Sequence, residues 1–153
     1  MYQRIMVAID DSFATSSVLA TAIEMAKLSG ASLAICHAVD ETLFAQKMGE
    51  IMLSNSVTAI ENNLRGEAKA FLEQAAEVAR TAGVAVETRL IASEAKQVAD
   101  MLAQAASEWH ADLLVVGSND GKRGLDRFFV GSVASRLVQK ARTSLLLVRA
   151  TDA

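Results

Sequence analysis

One stretch carries the spacing most suited to chemistry: Gly117-Ser118-Asn119-Asp120-Gly121-Lys122-Arg123-Gly124-Leu125-Asp126-Arg127-Phe128-Phe129-Val130-Gly131-Ser132. The chemistry it suits is phosphate recognition. Glycines let the main chain approach a ligand because no Cβ intervenes. Gly131-Ser132 opens a segment in which Val133, Ala134, Leu137 and Val138 recur at helical spacing. The first turn of a helix exposes N–H groups and the positive end of the helix dipole, so that junction is a seat for an anion. Immediately upstream, Ala111-Asp112-Leu113-Leu114-Val115-Val116 is a short, mostly apolar run. A buried strand therefore feeds the glycine loop, and the loop feeds a helix.

Two familiar glycine fingerprints fail on this stretch. A P-loop aligned on Gly121-Lys122 puts Val116 where its first glycine belongs and Arg123 where its Ser or Thr belongs. GxGxxG fails because no glycine stands two residues after Gly117, and because that motif follows the first strand of a unit. The pattern present is Gly117, three residues, Gly121, nine residues, then Gly131-Ser132, placed after the fourth strand of a five-stranded α/β reading. In this it resembles the universal stress protein family, in its ATP-binding branch. The resemblance runs through nearly the whole chain: Ile5-Met6-Val7-Ala8-Ile9-Asp10, Cys36-His37-Ala38-Val39-Asp40 and Thr143-Ser144-Leu145-Leu146-Leu147-Val148 follow in family order. Departures are local. The family usually has two residues in the first gap, where this chain has Ser118-Asn119-Asp120; Asp10-Asp11-Ser12 stands where Asp-Gly-Ser is frequent, and Ala8 where proline is frequent.

The elements that must position these residues follow from periodicity. Arg4 to Ile9 is apolar at nearly every position, as a central strand covered on both faces would be. A helix over 14–29 has Val18, Leu19, Ala22, Ile23 and Ala26 on one face and Gly30 as its stop. Ser32 to Val39 is a second apolar strand, and strand–helix–strand with short links predicts a right-handed parallel crossover. A mobile segment or short helix is expected at 42–53, then a long helix over 56–82 whose core face is Ile60, Leu64, Ala68, Phe71, Ala75, Val78 and Ala79. Val84 to Ile91 alternates as a half-exposed edge strand. Glu94 to Trp109 is a helix with Val98, Met101, Leu102, Ala105 and Trp109 on one side, Asp112 to Gly117 a fourth strand, and Ser144 to Arg149 a fifth.

The expected fold is thus one α/β domain over residues 1–153: a single open five-stranded parallel sheet with helices on both faces, Rossmann-like, in the order 3-2-1-4-5 that the resemblance implies. Such a sheet binds ligands at the carboxyl ends of its strands where crossovers diverge, here between the first and fourth. Asp10 and Gly117 end those strands. Together with the resemblance this gives a nucleotide site for ATP, with or without Mg²⁺. Gly117 and Gly121 admit the ligand to the main chain, Gly131 seats the phosphates at the helix start, and Ser132 offers a hydroxyl and an N–H. Val133 adds its amide by resemblance, Asp10 accepts from ribose or base, and Ala8, Ile9, Ala38 and Val116 wall the adenine. Lys122, Arg123 and Arg127 either counter phosphate charge or form a solvated loop, and Asp11 caps the first helix.

The remaining composition narrows the function. With 52% hydrophobic and 22% charged residues the chain is long enough to bury its own core, and a formal net charge of −3 with pI near 5.4 argues against a nucleic-acid surface. No run of about 18 apolar residues and no basic-then-apolar start is present, so a soluble cytoplasmic protein without a membrane partner is expected. Cys36 reads as a buried inert thiol, and His37 and His110 as structural histidines rather than metal ligands. Ser12, Ser118 and Ser132 have no His–acid partnership, so no catalytic residue is assigned and hydrolysis of ATP is at most slow. Trp109 and Phe128-Phe129 read as anchors. The apolar run Leu145-Leu146-Leu147-Val148 at a sheet edge is an aggregation hazard unless covered, which predicts a homodimer through the fifth strand, Ser144 to Arg149; a monomer covered by its own helices is the alternative. The functional reading is an ATP-binding stress-response protein acting as a nucleotide-dependent switch or adaptor toward an unknown protein partner. The alternatives are a dimeric stress protein that binds no nucleotide, and a slow ATPase. A response-regulator receiver also has adjacent acids after its first strand, but requires an Asp after the third strand and a Lys after the fifth, where this chain has Ala92-Ser93 and Arg149-Ala150.

Overall fold

Side chains alternate across a strand, so a run apolar at every position has to be covered on both faces. The computed structural model, which describes residues 1–10, 15–40, 57–93, 98–118 and 132–149, meets that demand with helices on each side of one sheet. The order is β1 (Arg4–Ile9), α1 (Thr15–Ser29), β2 (Ser32–Asp40), α2 (Val57–Thr81), β3 (Val86–Ser93), α3 (Val98–Trp109), β4 (Leu113–Gly117), α4 (Ser132–Lys140) and β5 (Ser144–Val148). The sheet is parallel, in the order β3-β2-β1-β4-β5. Asp11, Ser12, the segment 42–53, Gly121, Lys122, Arg123, Arg127, Phe128, Phe129 and Gly131 lie outside the described residues.

Parity along the strands decides which core each residue joins. Ile5, Val7, Ile9, Leu33, Ile35, Leu113 and Val115 pack with α1 and α2. Met6, Ala34, Cys36, Leu114 and Val116 pack with α3 and α4 through Leu102, Ala106, Trp109 and Leu137. Each large aliphatic side chain sealed in this way contributes about 1.5–3 kcal/mol. All of Val18, Leu19, Ala22, Ile23 and Ala26 are buried, as the helical spacing of α1 predicts.

Three expectations shift. The core face of α2 runs through Leu72, Ala75, Ala76 and Ala79, while Val78 is 56% exposed. Phe71 and Val78 lie about a third of a turn off that face; the Phe71 ring still reaches the core edge, but the shorter valine does not. The third strand begins at Val86 rather than Val84, because Val84 closes the end of α2: its N–H donates to Ala79 O (3.1 Å) while Gly83, at φ 83°, donates to Arg80 O (2.9 Å). Asp112 precedes β4, and its carboxylate accepts from the N–H groups of Gln3 (2.8 Å) and Arg4 (3.0 Å), fixing β1 to β4 at their amino ends.

Candidate functional site

A crevice between parallel strands needs the strands to part. Between β1 and β4 the ladder runs from Ile5↔Leu113 to Val7↔Val115, whereas β1 continues beside β2 to Ile9↔His37 and β4 beside β5 to Gly117↔Val148. The last residues of β1 and β4 thus turn to their outer neighbours and leave a cleft at the carboxyl edge. Crossovers leave in opposite senses there, which is where open parallel sheets hold ligands.

The predicted residues fall into two groups around that cleft. Val116 is buried, and Ala8, Ala38 and Val133 are half-buried, all against the core formed with α3 and α4. Four apolar positions from β1, β2, β4 and α4 are thereby gathered on one side of the sheet. Asp10 stands exposed just after β1, Gly117 is half-buried at the end of β4, and Ser132 is the first residue of α4. Ile9 departs from expectation, since its side chain is sealed in the opposite core. What Ile9 presents at the cleft is main chain. Gly121 and Gly131 fall outside the described residues.

Two features at this edge were not assigned a place by sequence reasoning. His37 Nδ1–H donates to the Ile9 carbonyl at 3.1 Å, and its ring meets Phe71 of α2 edge-on, with centroids 5.6 Å apart. This side chain ties the end of β1 to β2 and to a helix, immediately before Asp10. Ser118 is 3% exposed, and its N–H donates to Val148 O at 3.0 Å, so the chain leaves β4 still held to β5. The only advance signal for His37 is a polar residue inside an apolar strand.

Burial pushes the Cys36 thiol up to about 12, with Arg89 pulling the other way, so it is protonated and unreactive at neutral pH. Among the described residues no group of three or more His, Cys, Asp or Glu side chains is placed to hold a metal ion, and no helix is long and apolar enough to cross a membrane.

Comparison with known proteins agrees with this architecture. The model of the universal stress protein family matches residues 1–149. Universal stress protein YxiE of Bacillus subtilis (strain 168) is 31% identical over 152 residues, covering 97% of this chain and all 100% of that protein. Among solved structures, a universal stress protein in complex with cAMP superposes with a TM-score of 0.70 at 26% identity over 98% of both chains. The universal stress protein of Archaeoglobus fulgidus in complex with dAMP does so with a TM-score of 0.66 at 27% identity, over 95% of this chain and 97% of that one. The chain belongs to the universal stress protein family.

Proposed function

We propose that the cleft between β1 and β4 binds an adenine nucleotide, ATP with or without Mg²⁺, and that the protein works as a nucleotide-dependent switch or adaptor in a cytoplasmic stress response. The observation that carries this reading is the parting of the two strands beyond Val7 and Val115, with Ala8, Ala38, Val116 and Val133 gathered on one side of it and Asp10 at its rim. An apolar wall suits a base, and a carboxylate suits ribose hydroxyls or base N–H groups. Relatives of the same fold are known in complex with cAMP and dAMP, both adenine nucleotides. The start of α4 at Ser132 supplies N–H groups for phosphate, and Gly117, Gly121 and Gly131 admit the ligand to the main chain. The side chain of Ile9 takes no part in this wall.

Binding rather than turnover is the proposed mechanism. ATP shifts the equilibrium toward a surface that another protein reads. A homodimer through β5 belongs to the same reading: β5 is the sheet edge, and Leu145, Leu146, Leu147 and Val148 are only half-buried in the single chain. Three residues rather than two between Gly117 and Gly121 favour the second reading, an adaptor that acts by protein contacts without nucleotide.

Calorimetric titration of ligand-free protein with Mg-ATP, with AMP as comparison, separates the two. A dissociation constant on the order of micromolar for ATP, weaker for AMP, is the expected result. No heat at about millimolar ATP, in folded protein, overturns it in favour of the adaptor.

A further inference from the structure

At the opposite edge of the sheet, a cavity of about 510 Å³ opens between the last turn of α3 and the last turn of α4. Its volume is within the range of small-molecule sites, about 300–1,000 Å³. Ala103, Ala106 and Ala141 give it a shallow apolar floor, and His110, Lys140 and Arg142 a cationic rim. No carboxylate lines it among the described residues, and none of their ion pairs involves the three rim residues. The Thr143 hydroxyl donates to Ala111 O at 3.0 Å, so the two loops that bound the cavity are tied together.

His110 is out of place by the protein's own standard. Three helices end with the same pair of hydrogen bonds. In α1 Gly30 donates to Lys27 O and Ala31 to Ala26 O; in α2 Gly83 donates to Arg80 O and Val84 to Ala79 O; in α3 His110 donates to Ser107 O and Ala111 to Ala106 O. The pivot residue is left-handed each time, at φ 66°, 83° and 60°. Two pivots are glycine, the residue that adopts this conformation without strain, and the third is a histidine, for which it is unfavourable. The imidazole there is exposed and has no hydrogen bond among the described residues to justify it. What it does is line the cavity beside Lys140 and Arg142.

We propose that this cavity binds a small organic oxyanion, a phosphate monoester or carboxylate with a compact apolar body, and that His110, standing at a left-handed pivot where α1 and α2 have glycine, holds it. The guanidinium of Arg142 offers a fork matched to a planar or tetrahedral oxyanion, Lys140 a point charge, and the alanine floor a seat for the apolar part. The helix dipoles oppose an anion, because α3 and α4 both point their negative ends here. That opposition is outweighed. Each helix end amounts to about half a charge against a whole charge on each of Lys140 and Arg142, and the carbonyls of Ala106, Ser107 and Leu137 are already engaged by main-chain N–H groups. The site is independent of the nucleotide cleft and stands or falls without it.

An NMR titration of the full ¹⁵N-labelled chain with phenyl phosphate, against benzyl alcohol as the uncharged comparison, tests this. Expected are saturable shifts in the amides of 103–111 and 140–143 with phenyl phosphate alone, weakened at least tenfold in the double variant K140A/R142A. His110→Gly is expected to raise the melting temperature by about 2–4 °C while weakening binding several-fold, a combination that a purely structural histidine would not give. No saturable shift at these amides up to about 10 mM, or shifts confined to residues 8–10 and 117–118, overturns the site. Unchanged affinity in His110→Gly, or a lowered melting temperature, overturns the role given to His110.

Discussion

At the amino-terminal edge of the sheet Asp112 gives both carboxylate oxygens to the main-chain N–H groups of Gln3 and Arg4, whereas at the carboxyl-terminal edge the same two strands part after Val7 and Val115. The amino edge is cross-tied further: Arg4 Nε donates to Trp109 O at 2.8 Å, its guanidinium lies 4.0 Å over the Trp109 ring, and Trp109 Nε1 donates to Glu87. At the carboxyl edge the described ties, His37 to Ile9 and Ser118 to Val148, run to outer neighbours rather than across the gap. Strands locked at one end can diverge at the other without loss of register. Among the described residues the Asp112 ties between β1 and the start of β4 thus lie at the amino edge, and the two strands part at the other.

The largest effect is expected from breaking the locked edge. Trp109 is 4% exposed, and Trp109→Ala removes its packing, its cation–π partner and its bond to Glu87; a loss of about 3–5 kcal/mol in denaturant unfolding follows. Asp112→Ala leaves two N–H groups without their acceptor and is expected to cost about 2–3 kcal/mol. In both variants the molecules that remain folded should bind ATP with unchanged affinity. A parallel loss of affinity would show that the two edges are not separable.

Gly131→Val inverts the experiment at the open edge. Gly131 immediately precedes α4 in the sequence, where phosphate is proposed to sit, so a side chain there should lower ATP affinity at least tenfold, about 1.4 kcal/mol, with the unfolding midpoint unmoved. Intact affinity would remove Gly131 from the site. Reduced stability with intact affinity would make this glycine a folding residue instead.

The locked edge and the open one differ in how legible they are in the residues. Local periodicity revealed the sheet and the face of α1, because buried residues recur at fixed steps. It misassigned Val78 because Phe71, chosen as a core residue, pulled the predicted face of α2 sideways, and it began the third strand early because Val84 is apolar for the sake of a helix end. Parity alone separates Ile9 from Ala8, since neighbours in a strand face opposite sides; the assignment of roles around the ligand had put both in one wall. The Asp112 bonds span a separation of 108 to 109 residues and the His37–Ile9 bond one of 28, which no local pattern encodes. Glycine spacing marked the loop after β4 as chemically interesting, but glycines license many main-chain paths and specify none.

Between the two edges lies a dry interior, and Cys36 measures how dry. Its thiol sits at 0% exposure in the core formed with α3 and α4, and burial raises it from an ordinary 9.0 to about 12. The folded chain therefore holds this proton where the unfolded chain has released it. Stability from the neutral thiol is complete below 9.0 and is lost as pH climbs toward about 12. The slope within that window approaches about 1.4 kcal/mol per pH unit for one proton. Other groups titrate there too, so the informative quantity is the difference between the wild type and Cys36→Ala in urea unfolding at about pH 8 and about pH 10. The wild type should lose more stability over that step than the variant. Parallel losses would mean that the thiol titrates in the folded chain as it does in the unfolded one, and that burial does not hold its proton.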